Sequence, residues 1–428
     1  MRKINIAIIG LGNIGSYLYK YLNKNKKILS KKNNCVPNIT YVSAKTKNKK
    51  RQIKISKKKW LKNYMHATTN KNIDLIVELI GGSEGAAKKL VFSALKNKKH
   101  VVTANKALIA KYGDQLAKIA EKNKVNLEFE ASVCGGVPII RSLKEGLIAN
   151  KISKIYGIFN GTSNYILSSM DKLNKDFKEV LTDAQQLGYA ETNPSADLNG
   201  NDVSAKLKIL TSLCFNSFLN NNIHVEGILN IDKIDIDNAN KLGYKIKLLG
   251  FSELINKKIY QRVHPTLIKK SSYVASIDGV LNAVIVNGNP VGQSVIQGEG
   301  AGPAATTSAL ISDISSILRG NTKFPFSISN SERKKLSFAK ISDRFFSAYF
   351  RFEVLDKQGV LSNITNIFSK NKVSIKRLIQ NPNKNKGSSS IVIITHNSKN
   401  SYLDKILKTI NKKKYILKES KLIRIHDN

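Results

Sequence analysis

The chain is constrained most by its opening residues, where the apolar run Ile6-Ala7-Ile8-Ile9 breaks into Gly10-Leu11-Gly12-Asn13-Ile14-Gly15 and continues as a helical stretch. Glycines at this spacing, between a strand and a helix, let the backbone turn tightly and aim the helix N-terminus at a pyrophosphate. Gly10, Leu11, Gly12, Asn13, Ile14 and Gly15 are therefore candidate cofactor contacts, with a helix predicted over Asn13 to Leu22. Further strand-like runs, Ile39 to Ser43, Leu75 to Leu79, Val101 to Ala104 and Val125 to Phe129, alternate with helical stretches at Ser83 to Asn97 and Leu108 to Lys122. That is the order of βαβ units, so the fold class is α/β, with a Rossmann-type parallel sheet domain over residues 1–135.

Sheets that bind NAD carry an acid at the end of the second strand to hold the ribose 2′-hydroxyl. This chain has Ser43-Ala44-Lys45-Thr46-Lys47 there, and a cation such as Lys45 suits a 2′-phosphate, so NADP is expected ahead of NAD. Thr103 and Lys106 lie at the carboxyl end of the fourth strand, where open α/β sheets gather ligand-binding residues. A lysine at a helix start opposes the helix dipole, which favours a ligand role for Lys106 over an incidental one.

From residue 136 to 303 the pattern changes to strands at Ile152 to Asn160, Gln261 to Leu267 and Asn282 to Asn287, with helices at Tyr165 to Asp171 and Asp202 to Phe215. This predicts an α+β domain for substrate and dimerisation. A Gly-rich turn, Gly298 to Pro303, leads into a helix over Ala304 to Leu318 that returns to the first domain, which residues 304–320 complete. Asp202 and Lys206 are four apart and share a helix face, a spacing that an ordinary salt bridge also satisfies. Glu191, Asp197, Asp202 and Lys206 nonetheless crowd one stretch, with Gly188 just before it and Gly200 inside it. Hydride addition to a carbonyl leaves charge on oxygen, which a neighbouring ammonium stabilises and protonates.

Composition excludes more than it assigns. The formal net charge is +41, yet the lysines are dispersed and not gathered with arginines and aromatics into one stripe. No helix-turn-helix, zinc-finger or RNA-recognition pattern accompanies them, so no specific nucleic-acid partner is expected. No apolar run reaches membrane-spanning length and no apolar leader opens the sequence, which gives no membrane partner and a cytoplasmic expectation. Three cysteines without a C-x-x-C spacing fit a reducing compartment.

Asn160-Gly161-Thr162-Ser163-Asn164-Tyr165-Ile166-Leu167, Gly188-Tyr189-Ala190-Glu191 and Asp197 to Lys206 resemble the homoserine dehydrogenase family. The likeness extends to Thr103 to Lys106, Glu130 to Pro138, and Gly298 to Pro303 with Thr306 and Asp313. It implies hydride transfer between a nicotinamide and the pair L-aspartate 4-semialdehyde and L-homoserine, in threonine, methionine and isoleucine biosynthesis. It further implies Lys206 as acid and base, Asp202 as its positioner, Glu191 as the receptor of the substrate amino group, and Thr162, Asn164 and Asp197 along the substrate cleft. Gly188 and Gly302 would lie near the cofactor, and Lys106 near both ligands. By the same resemblance, Glu130, Val133, Gly135 and Val137 hold a structural monovalent cation such as Na+, for which backbone carbonyls and one carboxylate are apt. Cys134 in that segment has no histidine partner nearby in sequence and is read as a buried residue, not a nucleophile.

The segment 346–428 reads strand, helix, strand, strand, helix, strand: Ala348 to Leu355, Val360 to Lys370, Ser374 to Leu378, Ser389 to Thr395, Ser401 to Ile410 and Tyr415 to Ile425. That is a ferredoxin-like βαββαβ order. Its first strand alternates Ala348, Phe350, Phe352 and Val354 with Tyr349, Arg351 and Glu353, predicting one buried and one wetter face. Asp356-Lys357-Gln358-Gly359-Val360-Leu361 resembles the turn of an ACT domain, where Gly359 frees backbone amides for an amino-acid carboxylate. Gln358 stands where that family usually has proline. The resemblance implies feedback control by an amino acid, threonine by analogy, and a purely structural dimerisation module is the alternative. With no kinase segment ahead of the glycine turn, the expectation is a monofunctional enzyme, a homodimer or homotetramer. A non-catalytic amino-acid sensor on a Rossmann fold, and another NAD(P)-dependent oxidoreductase of amino-acid metabolism, remain the competing readings.

Overall fold

The computed structural model describes residues 1–219, 223–382 and 387–426. Residues 383–386 and 427–428 of the C-terminal segment thus lie outside the described residues. The first sheet has five parallel strands in the order Cys35–Ser43, Arg2–Ile9, Leu75–Glu78, His100–Thr103, Leu127–Glu128. The chain steps outward from its first strand and then crosses back, so the order reverses between Arg2–Ile9 and Leu75–Glu78. A crevice opens at the carboxyl ends of strands on either side of such a reversal. Helices Asn13–Lys24 and Pro303–Leu318 pack on one face, through Leu18, Leu22, Leu310, Ile314 and Ile317 against Ile6, Ile8 and Val77. Helices Ala86–Lys96 and Lys106–Lys122 cover the other through Leu90, Leu95, Leu108 and Leu116.

Two departures from the expected elements have plain causes. The second strand starts at Cys35, four residues before the predicted Ile39, and runs through Pro37. It is an edge strand, where proline's missing N–H costs no interior ladder bond. Helix Lys26–Asn33 escaped prediction because it buries only Ser30 and Asn33 and shows no apolar period.

The second sheet runs Gly292–Glu299, Leu281–Asn289, Lys151–Ile158, Tyr244–Ile255, Lys258–Lys269, Lys421–His426, Phe345–Leu355, Ser388–Thr395, Ile375–Pro382. Strand Tyr244–Ile255 is long yet unforeseen, since Lys247 and Gly250 interrupt its apolar pattern while both are buried. Gly298 and Glu299, read as part of a turn, close the strand Gly292–Glu299. Helices Phe177–Gln186 and Lys233–Lys241 are also additional to those predicted. The last strand begins at Lys421, later than Tyr415, because residues 415–420 are spent on a turn.

The last four strands of this path show a ferredoxin-like order around Phe350, Phe352, Ile364, Phe368, Ile391, Ile393 and Leu403. The unit does not stand apart. Strand Lys421–His426 also pairs in parallel with Lys258–Lys269, Arg424 facing Thr266, so one sheet crosses from the middle segment into the C-terminal one.

The expected wetter face of Phe345–Leu355 is corrected by the structure. Tyr349, Arg351 and Glu353 are buried, because helix Lys233–Lys241 lies over them. Arg351 donates to Asp235 at 2.6 and 3.0 Å and to Glu353 at 3.0 Å. The Tyr349 hydroxyl donates to Asp235 at 3.0 Å and accepts from Asn238 at 3.2 Å. A guanidinium so enclosed is stable only while its carboxylates remain, and deleting one partner of a buried pair costs about 3–5 kcal/mol. Arg351→Met is accordingly expected to lower stability by about that amount in urea unfolding, with much of it recovered in Arg351→Met/Asp235→Leu. A single-variant loss below about 1 kcal/mol, the range of an exposed pair, would sink this account.

Candidate active site

The glycine turn sits in the crevice of the first sheet. Gly10 has φ +109°, and a Cβ there would lie 2.3 Å from the Leu79 carbonyl oxygen; one on Gly15 would lie 2.0 Å from that of Gly10. Gly12 faces open space. Two glycines thus allow close packing and the third leaves room for a ligand at the start of helix Asn13–Lys24. Cavities open on both sides of the turn. One of about 270 Å³ is lined by Gly12, Asn13, Gly15, Leu79, Gly81 and Asn105. The other, about 750 Å³, is lined by Gly12, Ser16, Lys20, Lys24, Lys49, Lys50, Arg51 and Pro303.

Lys45 is exposed and does not line that basic cavity; Lys20, Lys24, Lys49 and Lys50 supply its charge. Arg51 shapes it, donating to the carbonyls of Leu11 at 2.9 Å, Thr46 at 2.8 Å, Lys47 at 3.1 Å and Lys49 at 2.9 Å. Gly302, at φ +102°, immediately precedes Pro303 of this lining. Thr103 is buried and its hydroxyl donates to Glu78 at 2.6 Å. The other oxygen of Glu78 accepts from the amides of Ile80 at 2.7 Å and Gly81 at 3.0 Å. Thr103 therefore shapes the crevice through Glu78, whose signal in the sequence was a carboxylate inside an apolar strand.

Helix Asn201–Phe215 brings the charged cluster together. Asp202 is 4% exposed and holds two ammonium groups, Lys106 at 2.7 Å on one oxygen and Lys206 at 2.8 Å on the other. Lys206 also donates to the Phe159 carbonyl at 2.6 Å, which accepts in addition from Asn282 at 3.1 Å. Asn160 donates to Asp197 at 2.7 Å and to Asp202 at 2.8 Å. Burial alone would raise the Asp202 pKa, but Lys206 and Lys106 hold it well below the usual carboxylate range. Burial pulls Lys206 down and Asp202 pulls it up, with a net rise that keeps the ammonium charged at neutral pH. Asp197 is raised, by burial first and then by the charge of Asp202.

Other expected substrate contacts are less closely gathered. Glu191 and Gly188 lie on an exposed loop, Gly188 at φ +75°. Thr162 caps that loop, donating to the Tyr189 carbonyl at 2.7 Å. Asn164 is a correction: it is 1% exposed, and its amide is spent on the carbonyls of Ile277, Gly279 and Leu281 and on the buried Lys247. It fastens the loop beside the helix and does not line a cleft.

Glu130 is 2% exposed, accepting from the amides of Ile140 at 2.9 Å and Arg141 at 2.6 Å. Burial nevertheless pushes its carboxyl up to about 7, against those hydrogen bonds and the nearby Arg141 and Lys144. The carbonyls of Val133 and Gly135 accept no backbone hydrogen bond among the described residues, whereas that of Val137 accepts from Ile139 at 2.8 Å. A buried carboxylate and backbone carbonyls are the kinds of oxygen donor that a hard cation takes. Cys134, at φ +56°, is buried next to Lys206 and Asn282, and burial pushes its thiol up to about 11.

Comparison with known proteins converges on one family. Residues 138–315 match the family described as homoserine dehydrogenase and residues 10–130 its NAD binding domain. Residues 350–418 match the AHAS small subunit-like ACT domain. A curated homoserine dehydrogenase of Neisseria gonorrhoeae is 38% identical, with 100% of each chain covered. That of Bacillus subtilis is 35% identical over 100% of this chain and 99% of its own. The crystal structure of a homoserine dehydrogenase from Thiobacillus denitrificans superposes with a TM-score of 0.92 at 33% identity, covering 100% of this chain and 99% of that one. The protonated state of the Cys134 thiol generates a prediction: Cys134→Ala should keep dehydrogenase turnover within a few-fold. Abolished turnover in a variant of native thermal stability would restore a nucleophilic role.

Proposed function

This chain belongs to the homoserine dehydrogenase family of NAD(P)-dependent oxidoreductases, and from that premise we propose how its residues divide the work. The observation that carries the reading is the buried Asp202 carboxylate with an ammonium on each oxygen. When bound, the nicotinamide supplies hydride to, or takes it from, the substrate carbon. Lys206 protonates the oxygen of aspartate semialdehyde as charge develops there, and as a free amine it receives the homoserine hydroxyl proton in the opposite direction. Two of its N–H bonds are held by Asp202 and Phe159, which leaves the third for the substrate. Lys106, which is half-exposed, receives the substrate carboxylate, and Glu191 with Asp197 receives its amino group, with Thr162 holding their loop.

The basic cavity favours NADP over NAD, with Lys49 and Lys50 meeting the 2′-phosphate in place of the expected Lys45. Glu130, Val133, Gly135 and Val137 take a structural monovalent cation. A threonine-sized amino acid binds the cavity of about 420 Å³ around Asp356, Gly359 and Gln380, where Gly359 at φ +84° opens helix Val360–Lys370. The edge strand Gly292–Glu299 pairs with a second copy in a homodimer or homotetramer. No described helix is long and apolar enough to cross a membrane, and the described cysteines are free, in keeping with a cytoplasmic enzyme.

Purified protein with homoserine should reduce NADP⁺ faster than NAD⁺, and Lys206→Ala should lower kcat about 10²- to 10⁴-fold. Because the raised pKa keeps Lys206 charged, homoserine oxidation should rise steadily from neutral into alkaline pH. Retained turnover in Lys206→Ala, or a flat alkaline profile, removes Lys206 from the role. Millimolar threonine should change both turnover and melting temperature. If it moves neither, control by threonine is discarded.

A further inference from the structure

Asn160 stands between strand Lys151–Ile158 and helix Gly161–Leu173, whose first turn it caps. Its Oδ1 accepts from the Ser163 amide at 2.7 Å, which fixes the orientation of the side chain and turns Nδ2 the other way. Nδ2 carries two hydrogens, and both are taken, one by Asp197 at 2.7 Å and one by Asp202 at 2.8 Å. The residue is 5% exposed, so water does not substitute for either bond. The carbonyl of the preceding residue, Phe159, anchors the Lys206 ammonium at 2.6 Å and is itself held by Asn282. One dipeptide therefore touches both acids and Lys206.

We propose that Asn160 is the positioning residue of the acid–base group, the fixed amide from which Asp197 and Asp202 are set against Lys206 and Lys106. Two carboxylates brought this close repel each other, and the amide donor they share offsets that repulsion. Without it Asp202, drawn by the half-exposed Lys106 on one oxygen and by Lys206 on the other, loses its fixed orientation. The residue type follows from these demands. Serine, threonine and aspartate cap helices as well as asparagine does, but none of them presents a cap acceptor together with two donors. Gly161 next to it cannot be replaced, since a Cβ there would lie 2.6 Å from the Val280 carbonyl oxygen, so the capping position has no room to shift.

The proposal rests on Lys206 being the acid–base group, and its test separates the two. Asn160→Asp keeps the cap and the side-chain shape while exchanging both donors for an anionic oxygen. The expected result is a fall of about 10- to 100-fold in kcat for homoserine oxidation near pH 8, with a raised KM for homoserine and unchanged KM for the nicotinamide cofactor. The ratio of variant to wild-type activity should climb as pH falls towards about 6, because the introduced carboxyl, once protonated, regains one O–H donor. Asn160→Ser, which caps the helix without reaching the acids, should show a similar loss with no recovery at low pH. Near-wild-type activity of Asn160→Asp at all pH values overturns the proposal. So does a pH-independent loss matched by a lower melting temperature, which marks a structural cap alone. The acid-dependent recovery alongside an active Lys206→Ala would keep Asn160 as positioner and remove Lys206 as acid–base group.

Discussion

A buried carboxylate cannot stand alone in a protein interior, and Asp202 resolves this by holding a lysine on each oxygen. Lys106 starts the helix that follows the fourth strand of the first sheet, and Lys206 lies one turn along the helix of Asp202 in the second. A single ion triad therefore spans the seam between the sheets. Helices Lys106–Lys122 and Asn201–Phe215 also pack against each other, so the two regions meet along this line.

Much of this was legible in the sequence, though unevenly. The glycine turn, the helical spacing of Asp202 and Lys206, and the βαββαβ order of the C-terminal segment all follow from local rules of period and turn chemistry. What local rules cannot reveal is which polar side chains point inward. Tyr349, Arg351 and Glu353 read as a solvated face because their partner, helix Lys233–Lys241, lies more than a hundred residues away in the chain. Asn164 read as a cleft residue on the strength of its motif, yet it fastens a loop. Lys45 read as the phosphate cation on the strength of its position, whereas the fold of the loop around Arg51 turns other lysines into the cavity. Glu78 lies within the run Leu75 to Leu79, where period alone assigns it no role, although its carboxylate organises the crevice from inside a strand.

The continuous second sheet bears on the feedback control proposed above. Strand Phe345–Leu355 runs into the turn at Gly359 at one end and carries the Arg351 ion cluster in its middle, and helix Lys233–Lys241 beneath it also meets helix Gly161–Leu173 through Asn240 and Asp171. The helix capped by Asn160 and the turn at Gly359 thus belong to one connected framework. The feedback control proposed above would need no hinge between domains, only a small change in how that helix seats.

Sheet continuity also dictates an order of events as the chain is made. The strand Lys421–His426 is interior to the second sheet, flanked by Lys258–Lys269 and Phe345–Leu355. Until residue 426 has left the ribosome, Lys258–Lys269 carries an unfilled edge across its Thr266 to Ile268 stretch, which Arg424 to His426 later cover. The nucleotide-binding sheet, whose strands all precede residue 129, has no such dependence, although its packing waits for helix Pro303–Leu318. The second sheet therefore closes only once that strand is made, and a nascent chain halted short of it displays an open sheet edge of the kind that favours aggregation.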